Sequence, residues 1–377
     1  MAITLISSNS IDAFERADSG HTLLMIGEGL IHRDDPTTTN RRILNILITG
    51  VHGFVGSNLV RALEKEHVIY GLDIIAPEKE GVVRTYSWED MRLGRLPEVD
   101  AIIHLAGKAH DVKTNGQAQR DAYFEINTGL TTKAYDYFLS STARKFIFFS
   151  SIKAAADSVE GEYVDENVEP RPRGPYGESK RAAEEYIMSR ITNPDAQQSG
   201  IANPQQPQAD STENTEKQTY ILRPCMIHGP GNKGNLNLLY GVVKKGIPWP
   251  LGAFENRRTF TSMDNVSFIV EGVLTKDVPS GIYNINDDEA VSSNELIEII
   301  CRVTGKKPHI WSVPQGMMRT LARIGDWLHL PLNSERLRKL TENYVSRNAK
   351  IKAALGVDRL PVRAVDGLTQ TIESFAQ

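Results

Sequence analysis

Cysteine is nearly missing from this chain: its 377 residues carry only Cys225 and Cys301. The two are far apart and belong to no CxxC or Cys/His cluster, which excludes a disulfide scaffold and a thiolate metal site and fits a reducing cytoplasm. No metal is expected. Positive charge is not in excess either. Forty-three Lys and Arg stand against 47 Asp and Glu, a net charge of -4, so no basic field is available to hold a polynucleotide. Nowhere do about 18 apolar residues run together, the length that a spanning helix needs. The apolar stretch Leu23 to Ile26 follows Asp12, Glu15 and Asp18 and is too short for a secretion signal. Neither export nor membrane insertion is expected.

What is present changes character at Leu44. Residues 1–42 lack sustained periodicity and read as an extension of unassigned role. LNILITG then reads as a buried strand, followed by a glycine turn and a helical pattern from Phe54 to Lys65 with Val55, Leu59, Val60 and Leu63 inward. Further near-continuous apolar strands are expected at 67–73, 100–107, 145–151 and 219–225, as in strands covered on both faces. The helical pattern from Asp121 to Leu139 supplies a crossover. The fold class is therefore α/β: a Rossmann-type, doubly wound parallel sheet with a smaller, mixed but mostly helical C-terminal substrate lobe. Expected boundaries are 43–227 for the dinucleotide domain and 228–377 for the lobe, with 282–286 returning to the main sheet. Residues 193–217 are rich in Gln, Asn, Pro and Ser and read as a disordered surface insertion.

The first glycine turn is the dinucleotide candidate. In GVHGFVG, Gly50 permits the tight turn, Gly53 lets the backbone approach a pyrophosphate, and Gly56 allows close packing of helix on strand; Phe54 and Val55 open that helix. Asp73 ends the second strand 23 residues after Gly50, where a carboxylate accepts hydrogen bonds from a ribose diol and repels a 2′-phosphate. No Lys or Arg follows it directly, which favours NAD over NADP. Leu105, Ala106 and Gly107 offer small residues where a cofactor lies against the backbone, while His104 reads as a packed strand residue.

Tyr176 and Lys180 in PYGESK are four apart, so one helix face carries both. A nearby ammonium and a positive nicotinamide ring both favour the phenolate, making Tyr176 an acid/base candidate. Ser151 closes the fourth strand, where open α/β sheets place ligands. By itself a YxxxK pair also fits an ordinary solvated helix face.

The ordered set GVHGFVG, Asp73, HLAG, FFSS, PYGESK and ILRPCMIHGPG resembles the extended branch of the short-chain dehydrogenase/reductase superfamily, its NAD-dependent nucleotide-sugar epimerase/dehydratase group, over residues 44–375. The 25-residue spacing from Ser151 to Tyr176 is similar to that of UDP-galactose 4-epimerase. The resemblance implies hydride transfer to and from NAD, with Tyr176 moving the hydroxyl proton, Lys180 holding the nicotinamide ribose and Ser151 orienting the substrate. It adds Pro224 to the cofactor site. It also implies a cytoplasmic homodimer and a nucleotide-sugar partner, UDP-linked in the polysaccharide-pathway members that this chain resembles.

Within that group, absences narrow the reaction. The dehydratases place an Asp-Glu pair after the catalytic hydroxyl residue, but here Ile152 and Lys153 follow Ser151, and isoleucine cannot transfer a proton. No Cys stands near SSIKAA, as it does in the 3,5-epimerase/reductases. A 4-epimerase and a one-way 4-ketoreductase remain, with a noncatalytic NAD-binding scaffold as the reading from another class. For the substrate diphosphate, Arg257 and Arg258 are candidates, since guanidinium forks grip phosphate oxygens in pairs. Neighbouring strand residues face opposite ways, so one of the two is expected to reach it; by its distance from Asp264, Arg257 better matches the arginine of the family that the chain resembles. Asn235, with Asn237 as competitor, resembles the residue that contacts the diphosphate or sugar in relatives, and Lys153 either reaches substrate or phosphate or projects to solvent. Met226 departs from the galactose epimerase, which has Asn there.

Overall fold

The computed structural model describes residues 22–26, 29–33, 42–109, 116–192, 216–232, 234–328 and 333–375. Its chain forms two units, Met1–Ile43 and Leu44–Gln377. In the first, strands β1 (Thr22–Ile26) and β2 (Gly29–Arg33) pair antiparallel, Thr22 opposite Arg33.

The second unit begins with β3 (Asn45–Thr49), α1 (Phe54–Leu63), β4 (Val68–Asp73), β5 (Arg84–Ser87), α2 (Trp88–Arg92) and β6 (Ala101–His104). Next come α3 (Gln117–Tyr123), a π-helical turn (Phe124–Gly129), α4 (Leu130–Ser140), β7 (Lys145–Phe149), a 3-10 turn (Ile152–Ala154) and α5 (Gly174–Thr192). After β8 (Gln218–Pro224) and β9 (Met226–His228) come α6 (Asn235–Lys244), β10 (Phe260–Ser262), α7 (Met263–Thr275) and β11 (Gly281–Ile285). Helices α8 (Ser293–Val303), α9 (Gln315–Leu328), α10 (Ser334–Thr341), α11 (Ala349–Leu355) and α12 (Ala364–Ser374) finish the unit.

Seven parallel strands in the order β11-β8-β7-β6-β3-β4-β5 make the main sheet. The fold is α/β and Rossmann-like with a C-terminal helical region. Its order reverses between β3 and β6, so the crevice at the carboxyl ends of these two strands is where such a sheet binds ligands. Strand alternation builds the layers. Ile46 and Ile48 pack with Leu59, Val60 and Leu63 of α1 and with Val266, Ile269 and Val270 of α7. Leu47, between them, faces the other side, with Ile102, Phe146, Phe148 and Phe138 of α4. At about 25 cal/mol per Å² of apolar surface buried, these two layers are the main favourable contribution to folding. A third cluster of Leu236, Tyr240, Ile300, Leu368 and Ile372 forms the core of the helical region.

Two features depart from the sequence pattern. Strand β5, RTYS, is four residues long and begins with exposed Arg84, too short and polar to show an apolar run. The helix expected from Asp121 to Leu139 is interrupted by the π turn, which adds a residue to the ladder and turns Asn127 inward, where it is fully buried. Of the polar stretch 193–217, residues 193–215 lie outside the described residues. Lys217 is anchored: its ammonium donates to the carbonyls of Phe138, Ser141 and Ala143 at 2.9, 2.7 and 2.8 Å.

Candidate active site

The phosphate cradle is built where β3 runs into α1. Gly50 has φ +70°, and a Cβ there would stand 2.9 Å from Ala106 N, so the turn and the β6 end are pressed together. At Gly56 a Cβ would meet Gly50 O at 2.5 Å and Val51 Cα at 2.9 Å, which holds this position to glycine for packing reasons. Gly53 caps α1 without a side-chain hydrogen bond, and no acidic residue lies in the first turn. The amides of Phe54, Val55 and Gly56 therefore point outward with the positive end of the helix dipole behind them. Asp73, half-buried at the end of β4, accepts from His52 N at 3.1 Å and Ile74 N at 2.8 Å, which orients its carboxylate beside the glycine turn. A dinucleotide fits these donors: amides for a pyrophosphate and a fixed carboxylate for a ribose.

Beneath the cradle runs a buried polar chain. Thr49 Oγ1 accepts from the amides of Leu105 and Ala106 at 3.2 and 3.1 Å and contacts His104 Nδ1 at 2.7 Å. His104 Nε2 contacts Thr131 Oγ1 at 3.0 Å, and Thr131 donates to Asn127 O at 2.6 Å. Burial, helped by the charge of Lys180, lowers the pKa of His104 to about 3, so the ring stays neutral. It is a structural connector, in keeping with its reading as a packed strand residue. Asn127 accepts from Lys108 N at 2.7 Å and donates to Lys108 O at 3.1 Å and Ser179 Oγ at 2.9 Å. This asparagine joins the segment after β6 to the helix that carries Tyr176 and Lys180. Sequence reasoning missed it because it lies inside a helical pattern and only the π turn brings it inward.

The three catalytic candidates converge from two elements. Ser151, 7% exposed just after β7, lies close enough to Tyr176 to pull its pKa down and accepts from Lys153 N at 3.2 Å. Helix α5 lies hard against this loop: a Cβ on Gly177 would meet Lys153 O at 2.6 Å, which is why glycine follows Tyr176. Lys180, 5% exposed, donates to Phe149 O at 2.9 Å and lies over the Phe148 ring at 5.0 Å. Its ammonium would be 3.1 Å from a Cβ on Gly107, which opens the floor between them. Burial depresses the Lys180 pKa to about 8 against an opposing pull from Glu184.

The phenol differs from the sequence expectation. Burial raises the Tyr176 pKa, the Ser151 hydrogen bond draws it back, and Tyr123, edge-on at 6.2 Å between ring centroids, raises it further. The expected lowering does not prevail: burial dominates, and the Lys180 ammonium donates to the Phe149 carbonyl.

Residues 46–193 match the model of the NAD dependent epimerase/dehydratase family. Over those residues the chain is similar to this family. Its members are NAD-dependent nucleotide-sugar epimerases, dehydratases and reductases. A UDP-glucose 4-epimerase of Vibrio cholerae is 24% identical over 351 residues, 88% of this chain and 96% of its own. A GDP-6-deoxy-D-mannose reductase of Pseudomonas aeruginosa is 25% identical over 292 residues, 74% and 86% of the two chains. Among solved structures, a UDP-glucuronic acid 4-epimerase from Bacillus cereus in complex with NAD superposes with a TM-score of 0.62 at 20% identity, over 88% of this chain and 99% of that one. Pro224 ends β8 opposite Ile285. The loop after β9 is tied to α1 by Asn58, whose amide donates to Phe54 O at 2.8 Å and Pro230 O at 3.2 Å.

The substrate candidates separate. Arg258 is half-buried and tied to the chain after β11 and to the end of α10: its backbone bridges Val291, and its guanidinium donates to Lys339 O and faces Glu342 at 3.9 Å. Arg257 is exposed, its amide held by Asn343 Oδ1 at 2.8 Å, and lines a cleft of about 580 Å³ with Glu162, Asn256 and Ser292. Lys153 donates to Asp157 O at 2.8 Å and Oδ1 at 3.2 Å and lies over the Tyr344 ring at 4.3 Å. Asn235 opens α6, Asn237 is exposed on its first turn, and Met226 is 38% exposed in β9.

Proposed function

We propose that the chain is an NAD-dependent 4-epimerase of a UDP-linked hexose or N-acetylhexosamine, working by transient oxidation at C4, in polysaccharide biosynthesis. The observation that carries this reading is the convergence of Ser151 and Tyr176 beside buried Lys180, near a glycine cradle that fits a dinucleotide. Residues 43–227 form the cofactor domain, with Gly50, Gly53, Phe54, Val55, Gly56, Asp73, Leu105, Ala106, Gly107, Tyr176, Lys180 and Pro224 holding NAD. Residues 228–377 form the substrate lobe, in which Arg257 takes the diphosphate and Asn235 the diphosphate or sugar. The protein acts as a cytoplasmic homodimer.

When bound, NAD supplies a hydride acceptor and a positive ring. Everything else falls to the chain. Ser151 accepts or donates one hydrogen bond to the sugar C4 oxygen, fixing it beside the phenol. Tyr176 removes the C4 hydroxyl proton as that carbon loses hydride, and returns it after the ketosugar has turned. Lys180, cationic below about pH 8, holds the nicotinamide ribose through the opening left by Gly107. The position after Ser151 is buried Ile152, and Lys153 is engaged by Asp157, so no acid/base pair for dehydration stands there.

The Pseudomonas relative is a reductase, which keeps a second reading: reduction of a UDP-4-keto-6-deoxy-hexosamine by NAD(P)H with the same three residues. Purified protein given UDP-N-acetylglucosamine is expected to form UDP-N-acetylgalactosamine without added cofactor. Stoichiometric loss of reduced-cofactor absorbance with a 4-keto substrate would favour the reductase. Tyr176→Phe should lower either activity at least about 100-fold; full activity in that variant defeats both readings, and NAD binding without turnover of any nucleotide sugar leaves the scaffold.

A further inference from the structure

Helix α9 is packed unlike the other long helices. Met318, Ala322 and Gly325 are buried against the helical region. Yet Met317, Leu321, Ile324 and Leu328 are 53%, 46%, 45% and 50% exposed, and Trp327 is 79% exposed. The spacing i, i+4, i+7, i+11 places the first four in one row on a helix of 3.6 residues per turn. Taking the buried three as the inner face, each residue turning about 100°, Trp327 points straight outward. The apolar row lies on one flank of it and Arg319 and Arg323 on the other.

A row of large apolar side chains in water is uncommon unless something covers it. Charge identifies the covering. From Arg302 to Lys350 the sequence has ten Lys and Arg against three Asp and Glu, in a chain whose net charge is -4. Between α9 and α10 a groove of about 430 Å³ is lined by Arg319, Arg323 and Arg338. Arg338 is paired with Glu342 at 2.8 Å and Asp157 at 3.8 Å, whereas Arg319 donates to Gln315 and Arg323 has no ionic partner among the described residues, which leaves these two to meet an anion. At 14 residues α9 is about 21 Å long, short of the roughly 30 Å hydrocarbon core. No helix among the described residues is long and apolar enough to cross a membrane. A short helix with Trp and aliphatic residues on one flank and Arg on the other suits the interfacial plane, where rings sit at headgroup depth and guanidinium groups meet phosphates.

We propose that α9 docks the protein on an anionic lipid surface, with Trp327, Leu321 and Ile324 entering the headgroup boundary and the Arg319–Arg323–Arg338 groove facing lipid phosphates. The full chain should co-sediment with vesicles of phosphatidylglycerol and phosphatidylcholine but not with phosphatidylcholine alone, and binding should fall at least tenfold between 50 and 500 mM salt (roughly as screening predicts). Leu321→Glu with Trp327→Glu should lower vesicle binding at least tenfold, while the far-UV spectrum and turnover of a soluble nucleotide sugar are unchanged. Trp327→Phe should remove most of the blue shift in tryptophan emission on vesicle addition. Absence of wild-type binding to anionic vesicles overturns the proposal, as does full binding by the double Glu variant. It is equally overturned if the double variant turns a dimer into a monomer and neither form binds vesicles, since a second copy would then cover the face.

Discussion

Single side chains set both the geometry of the site and its response to pH. Gly177 is the clearest case. Its missing Cβ lets α5 press against the Ser151 loop, since a Cβ there would stand only 2.6 Å from the Lys153 carbonyl oxygen. Gly177→Ala is expected to push Tyr176 off Ser151 and lower kcat of the nucleotide-sugar reaction by about tenfold to 100-fold, with a small change in thermal midpoint, because near-attack alignment is sensitive at the ångström scale. Steady-state kinetics beside a melting curve would check this, and unchanged kcat would show that the loop moves without cost. His104 makes a separate prediction. Its pKa is about 3 when folded, against an ordinary 6.5, so the unfolded chain binds more protons between these values. The stability of the neutral ring is fully present above pH 6.5 and is lost as pH falls, by about 2 to 3 kcal/mol at pH 4.5. Denaturant titrations at pH 7 and 4.5 on wild type and His104→Gln should show a smaller acid loss in the variant. The glycines, Asp73 and the Tyr/Lys pair are legible as spacing, whereas the phenol's pKa is not, since it depends on burial and on Tyr123, 53 positions away.

Among the elements, α5 and β8 are joined by a buried ion pair that no motif announces. Glu184 and Arg223 are 0% and 1% exposed and meet through two contacts, Nε to Oε1 at 2.8 Å and Nη2 to Oε2 at 2.6 Å. Ser150 donates to the same carboxylate at 2.6 Å, so one side chain links the helix carrying Lys180 to the strand end carrying Ser151. Breaking such a pair leaves an uncompensated buried charge. Glu184→Gln is therefore expected to cost about 3 to 5 kcal/mol in chemical denaturation, and the double variant Glu184→Gln, Arg223→Met to recover part of it. A loss below about 1 kcal/mol would mean that water reaches the pair. The π turn before α4 belongs to the same scale. Apolar periodicity foresaw a helix there but not the extra residue that turns Asn127 toward Ser179, because a 3.6-residue pattern averages over a single bulge.

For the whole molecule, the unit from Leu44 onward contains the three large cores, built among the described residues from its own elements. A chain beginning at Leu44 is expected to fold cooperatively, with a thermal midpoint within about 4 °C of the full chain; an uncooperative melt would show that the first unit is needed. The residue pattern determined by itself the α/β class, the glycine cradle with its acidic partner, and the Tyr176–Lys180 spacing, because each is local: a strand covered on both faces, a tight turn and one helical turn all lie within a few residues. Tertiary structure alone decided that β5 joins the sheet edge, that Arg258 is spent on the chain while Arg257 faces a cleft, that Lys180 leans to the Phe149 carbonyl, and that one face of α9 stays uncovered. Those outcomes depend on which distant segments meet, and side-chain periodicity states which face is apolar without stating what will cover it.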